Sequence, residues 1–167
     1  ILKDNFAEMY KECLTLMNLG PKDLIVDIGS NDGNLLSNFK DGHKVLGVTP
    51  EEIGKIAIDR GIPTIISYFG RDVVKSILGE HGSAKVVTAT NVFAHIDGIN
   101  EIVEYILELL DQDGVFIIEC HYLGSLIETL QYDTIYHEHL MYYSLRSLKY
   151  LLEQHGLEIF HAKQIPT

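Results

Sequence analysis

The sequence predicts an α/β fold, a doubly wound and mostly parallel sheet with helices on both faces. Three observations point there. Five short apolar runs, rich in β-branched residues, alternate with stretches whose apolar residues fall at helical spacing. The connections are short, and parallel neighbours need crossovers of the kind those helices supply. The polar residues that stand out follow directly on the ends of the apolar runs, where ligands of such sheets bind.

Taken in order, residues 1–19 place Phe6, Met9, Tyr10, Cys13, Leu14, Met17 and Leu19 on one helical stripe, and Gly20-Pro21 ends that helix. The run from Leu24 stops at Asp27 and enters Gly29-Ser30-Asn31-Asp32-Gly33, a tight turn. Leu35, Leu36 and Phe39 then start a helix, whose first N–H groups face the space left by the glycines. A second strand covers 44–49 and ends at Pro50, a helix covers 51–60 and closes at Gly61, and a third strand covers 62–67. Tyr68-Phe69-Gly70 leads into a helix running to about Leu78. The fourth strand is 84–90, followed by Asn91-Val92-Phe93-Ala94-His95. A helix over 99–110 and a turn at 111–114 lead to the fifth strand, 115–120. Beyond it the rhythm changes: a short helix over 123–130, then Tyr136-His137-Glu138-His139, whose side chains alternate if the segment is extended. Ser144 caps a helix to His155 that Gly156 ends, and 157–165 reads as a sixth strand.

The 167 residues suit one domain with a full core. The formal net charge of −11, with no Lys/Arg cluster, argues against nucleic acid as partner, while small anionic ligands stay open. No apolar run approaches the ~20 residues of a membrane span. Lys3, Asp4, Asn5 and Glu8 interrupt anything resembling a signal peptide. Cys13 and Cys120 form neither a metal-type pair nor a disulfide framework, so a reducing, cytoplasmic setting is expected.

The glycine loop lacks the spacing of the dinucleotide fingerprint and the Lys-Ser/Thr of a phosphate-binding P-loop. A plain strand–helix turn is the alternative. Asp-Ile-Gly-Ser-Asn-Asp-Gly, Asn-Val-Phe-Ala-His and Tyr-His-Glu-His, in that order, resemble the sugar C-methyltransferases, which act on nucleotide-linked 4-keto-deoxysugars. The resemblance runs from Phe6 to Thr167, and the Tyr-His-Glu-His element is its specific part. It implies a Rossmann-like class I methyltransferase core with S-adenosyl-L-methionine as cofactor and a nucleotide-sugar substrate. It also implies that 1–167 is one methyltransferase domain of a longer protein, whose N-terminal zinc-binding and C-terminal domains lie outside this chain. Asp27, Gly29, Ser30, Asn31, Gly33, Thr49, Pro50, Asn91 and Val92 are then the cofactor side, and Phe69 either stacks on the adenine or packs in the core. Thr49 departs from the pattern, because the second strand of most such enzymes ends in an acid that takes both ribose hydroxyls. A hydroxyl replaces at most part of that contact, and Glu51 or Glu52 are candidates to reach the ribose instead.

Methylation at carbon needs an enolate, hence a base for the C3 proton and donors for the O4 oxyanion. By resemblance His139 is the base, Glu138 orients or tunes it, and Tyr136 and His95 assist at the keto oxygen. His95 reads equally as a cap of the next helix. His137, out of phase with Tyr136 and Glu138, reads as supporting the fold. His121 and Tyr142 flank the cleft or pack, and His43, His81, His155 and His161 read as surface or terminal positions. Two other readings stay open: a module that binds the cofactor without turnover, and a metal site built on His137-x-His139 with His95 or His121.

Overall fold

The computed structural model describes residues 2–165; Ile1, Pro166 and Thr167, the ends of the expected domain range, lie outside the described residues. The strands are β1 (Leu24–Ile28), β2 (Lys44–Thr49), β3 (Thr64–Ile66), β4 (Ala84–Thr90) and β5 (Leu110–Glu119). They pair only in parallel, in the order β3-β2-β1-β4-β5. The chain winds outward from β1 to β3 and then returns to β1's other side as β4. The order therefore reverses between β1 and β4, and the loops leaving these two strands diverge there to form a crevice.

Each face of the sheet is filled by apolar residues of alternate parity. Leu24, Val26, Ile28, Val87 and Ala89 face one layer with Val74, Ile77, Val103 and Ile106. These last come from α3 (Arg71–His81) and α4 (Ile99–Leu109). Ile25 and Val86 face the other with Phe6 and Cys13 of α1 (Leu2–Leu16), Leu35, Leu36 and Phe39, and Ala57 of α2 (Gly54–Asp59). β1 is buried at every position, which is why it reads as a continuous apolar run instead of an alternating one. His43, expected at the surface, is half-buried: its Nδ1–H donates to the Gly20 carbonyl (2.9 Å), and its ring meets Tyr10 and Phe39.

Three expectations and one conditional reading are corrected. After Gly33 the chain forms only a 3-10 turn, Leu36–Asn38, and no α-helix. Ser37 Oγ donates to the Gly33 carbonyl and Asn38 Nδ2 to the Asn34 and Leu35 carbonyls, so short polar side chains compete for the acceptors a helix would use. Residues 110–113, expected as helix end and turn, are part of β5, with a register shift between Ala84 and Val86 absorbing them. The Tyr136–His139 segment is a turn, closed by His139 N–H to the Tyr136 carbonyl (3.1 Å), and not extended. Residues 157–165 form no strand. They follow α6 (Leu145–Gln154), whose N-terminus Ser144 caps through Ser147 N–H (3.1 Å). They are drawn to α1 instead, by Lys163 with Glu8 and Glu12. Between this segment, α1 and β5 lies a groove of about 650 Å³. Among the described residues no helix is long and apolar enough to cross a membrane.

Candidate active site

The floor of the crevice is the β1 turn. Gly29 N–H and Ser30 N–H both donate to the Val48 carbonyl (2.8 and 3.1 Å), tying the turn to the end of β2. Gly29 and Gly33 have φ of +76° and +77°, and Asn31 holds +48°, braced by its own Nδ2 on the Gly29 carbonyl (2.8 Å). A Cβ at Gly29 would overlap Val92 Cγ2 and stand 3.2 Å from Val92 Cβ, so the loops after β1 and β4 touch here because residue 29 is glycine. Asp32 is taken up by the loop itself, accepting from Asn34 Nδ2 (2.8 Å) and Arg60 (3.1 Å).

Thr49 is buried at the end of β2, with its methyl toward α2: a Cβ on Gly54 would come within 2.7 Å of Thr49 Cγ2. Pro50, Glu51 and Glu52 beyond it are exposed, and Glu52 pairs with Lys55. Phe69 is half-buried against the core layer of α3 and α4.

Asp27 is 1% exposed, and its carboxyl accepts from Thr88 Oγ1 (2.6 Å). Burial pushes it up from 3.8 to about 7, with the Thr88 hydrogen bond opposing and the Glu119 charge adding to the rise. A carboxyl raised on folding binds its proton more tightly in the native state. Its contribution is thus full below the ordinary 3.8 and is lost as pH climbs to about 7. Within that window stability is expected to fall with a slope of up to about 1.4 kcal/mol per pH unit. Asp27→Asn should flatten the curve, measured as urea unfolding from pH 5 to 8; equal slopes in both proteins would refute the assignment.

The second part of the site is built on the loop after β4 and the turn that follows α5 (Leu123–Glu128). Leu140 N–H and Met141 N–H both donate to the Ala94 carbonyl (2.9 and 3.2 Å), docking the Tyr-His-Glu-His turn onto residues 93–95. His95 Nδ1–H donates to the Glu138 carbonyl (2.9 Å). His139 Nδ1–H donates to the Thr134 carbonyl (2.7 Å), which leaves Nε2 as the basic nitrogen, 3.3 Å from the Tyr136 hydroxyl. Around the His139 ring stand Tyr136 (centroids 4.3 Å), His95 (4.7 Å), His121 (5.5 Å) and Tyr142 (6.0 Å).

The structure thus brings His139, Tyr136 and His95 together, and it does not bring the Glu138 carboxylate to His139. That side chain is exposed beside His137 Nε2 (3.9 Å). Glu138 reaches the cluster through its main chain. His137, expected to support the fold, is 90% exposed. Among the described residues no group of three or more His, Cys, Asp or Glu is placed to hold an ion. Both thiols are pushed up to about 11, chiefly by burial, so neither is a ready nucleophile.

Three details go beyond the sequence reading. His121 and Tyr142, left open there, are ring neighbours of His139, and Tyr142 OH donates to the same Thr134 carbonyl (3.3 Å). Glu119, at the end of β5, takes Asn91 Nδ2 on Oε1 (2.6 Å). Two buried polar atoms, Ser30 Oγ and Glu119 Oε2, find no hydrogen-bond partner among the described residues. Ser30 Oγ lies against Gly47 of β2, whereas Glu119 Oε2, at the end of β5, is a bare acceptor at the ligand-binding rim of the sheet and suits a polar ligand with a donor. The donor and acceptor set of S-adenosylmethionine fits that requirement.

Three comparisons bear on this geometry. A family model described as a methyltransferase domain matches residues 3–162. The C-methyltransferase NovU of Streptomyces niveus is 41% identical over 149 residues; the match covers 88% of this chain and 36% of that protein, so the chain spans about a third of the relative's length. A SAM-dependent methyltransferase from Archaeoglobus fulgidus superposes with TM-score 0.73 at 16% identity, over 92% of this chain and 68% of the other. The plantazolicin methyltransferase BpumL, solved with a pentazolic desmethylPZN analog and SAH, gives 0.69 at 16% identity over 93% of this chain and 63% of the other. The fold is that of S-adenosylmethionine-dependent methyltransferases, and the chain belongs to the methyltransferase-domain family.

Proposed function

We propose that the chain is the methyl-transfer domain of an S-adenosylmethionine-dependent C-methyltransferase of the cytoplasm, acting on a nucleotide-linked keto-deoxysugar through a base-generated enolate. The observation that carries this is the His139 ring, held by Nδ1–H on the Thr134 carbonyl with Nε2 toward Tyr136, beside the loop that touches Gly29. Likeness to a C-methyltransferase supports carbon as the methylated atom.

The cofactor, when bound, supplies an electrophilic methyl group. The Gly29–Gly33 turn, packed on Val92 at Gly29 and on Ile62 and Ala57 at Gly33, holds the loops after β1 and β4 close enough to form its binding surface. His139 Nε2 removes the C3 proton of the keto sugar. Protonation of Nε2 takes away the acceptor that Tyr136 OH had used, so the phenol proton turns to the oxyanion at O4. His95, oriented by the Glu138 carbonyl, stands 4.7 Å from the His139 ring and shares that space through its free Nε2.

The test is to incubate the chain with S-adenosylmethionine and a nucleotide-linked 4-keto-deoxysugar in deuterium oxide. The expected result is a sugar heavier by one methyl group when the cofactor is present, and exchange of the C3 proton for solvent deuterium in the unmethylated sugar when it is omitted. Transfer to oxygen, or no exchange at C3, would refute the carbanion route.

A further inference from the structure

Glu119 ends β5 in register with Thr90 of β4, and Asp27 of β1 is in register with Thr88. Asp27, Thr88, Thr90 and Glu119 therefore share one face of the sheet at its ligand-binding rim. Two links join Glu119 to the switch point: Asn91 N–H donates to its carbonyl (2.8 Å), and Asn91 Nδ2 to Oε1 (2.6 Å). Asn91 is held at φ +54°, a conformation it keeps within this double clamp. The other carboxylate oxygen, Oε2, is buried and without a partner among the described residues. A buried acceptor in that condition costs stability until something donates to it.

We propose that Glu119 Oε2 accepts a hydrogen bond from the α-ammonium group of S-adenosylmethionine, making Glu119 a cofactor-binding residue; this rests on the cofactor reading above. Charge selects the ligand. A nucleotide sugar brings a diphosphate, which a carboxylate repels, whereas the cofactor's zwitterionic amino-acid end carries an α-ammonium that donates to one. Chemistry selects the atom, because an ammonium carries N–H donors and a sulfonium carries none.

The test is calorimetric titration of wild type and Glu119→Gln with S-adenosylhomocysteine and with 5′-methylthioadenosine, which lacks the amino-acid arm. Glutamine keeps an acceptor for Asn91 and puts a donor where Oε2 was. Glu119→Gln is expected to weaken S-adenosylhomocysteine about tenfold or more and to leave methylthioadenosine within about twofold, which also shows that the adenosine side stays folded. Equal weakening of both ligands, or unchanged binding of S-adenosylhomocysteine, would overturn the assignment while the cofactor reading stands. Wild type that binds neither ligand would overturn that reading and this inference with it.

Discussion

Gly29→Val is expected to abolish S-adenosylhomocysteine binding, with affinity falling about a hundredfold or more. Two costs combine. A β-branched residue is forced to φ +76°, and its Cβ overlaps Val92 Cγ2. The loops after β1 and β4 must part, and these are the two walls of the crevice. Destabilisation of about 2–4 kcal/mol should accompany the loss. Gly29→Ala combined with Val92→Ala separates the two contributions, since it removes the overlap with Cγ2 and keeps the backbone strain. Calorimetry on the three proteins should rank them wild type, double variant, Gly29→Val. Binding by Gly29→Val within threefold of wild type would mean that the cofactor lies elsewhere.

His139→Ala should leave S-adenosylhomocysteine binding intact and slow both methyl transfer and C3 proton exchange about 10²–10⁴-fold, the usual span for a positioned general base. The separation of binding from turnover is what the geometry requires. The His139 ring contacts Tyr136, His95, His121 and Tyr142, whereas the glycine turn meets Val92. Tyr136→Phe should be milder, because His139 keeps Nδ1–H on the Thr134 carbonyl and loses only the hydroxyl at 3.3 Å. Exchange by His139→Ala at the wild-type rate would transfer the base role to another ring of the cluster.

The sheet was legible because its central strands are buried on both faces. Leu24 to Ile28 and Ala84 to Thr90 carry few residues that suit anything but a central strand. The elements misread are those in which local chemistry overrides periodicity. Leu35, Leu36 and Phe39 are fully buried as a helical stripe would be, yet Ser37 and Asn38 divert the carbonyls. Residues 157–165 alternate as a strand does, but pairing depends on a neighbour, and their ion pairs lead to α1. In the site, histidines and glycines announce themselves. Glu119 does not, because its role comes from the register that sets it opposite Thr90 and beside Asn91. The part that Glu138 plays is hidden for another reason, since it is played by a main-chain oxygen that every residue has.

The Thr134 carbonyl has a consequence for how this site tolerates change. One peptide oxygen accepts from both His139 Nδ1 and Tyr142 OH, while the Thr134 hydroxyl is turned to the Gln131 carbonyl (2.7 Å). Any residue with the same backbone supplies that oxygen, so position 134 is free to drift without cost to the orientation of the imidazole. The interval is not free. Inserting or deleting a single residue between 134 and 139 would swing the ring off its anchor, though every side chain of the cluster were kept. What inheritance must preserve in this stretch is a distance along the chain as much as a set of letters.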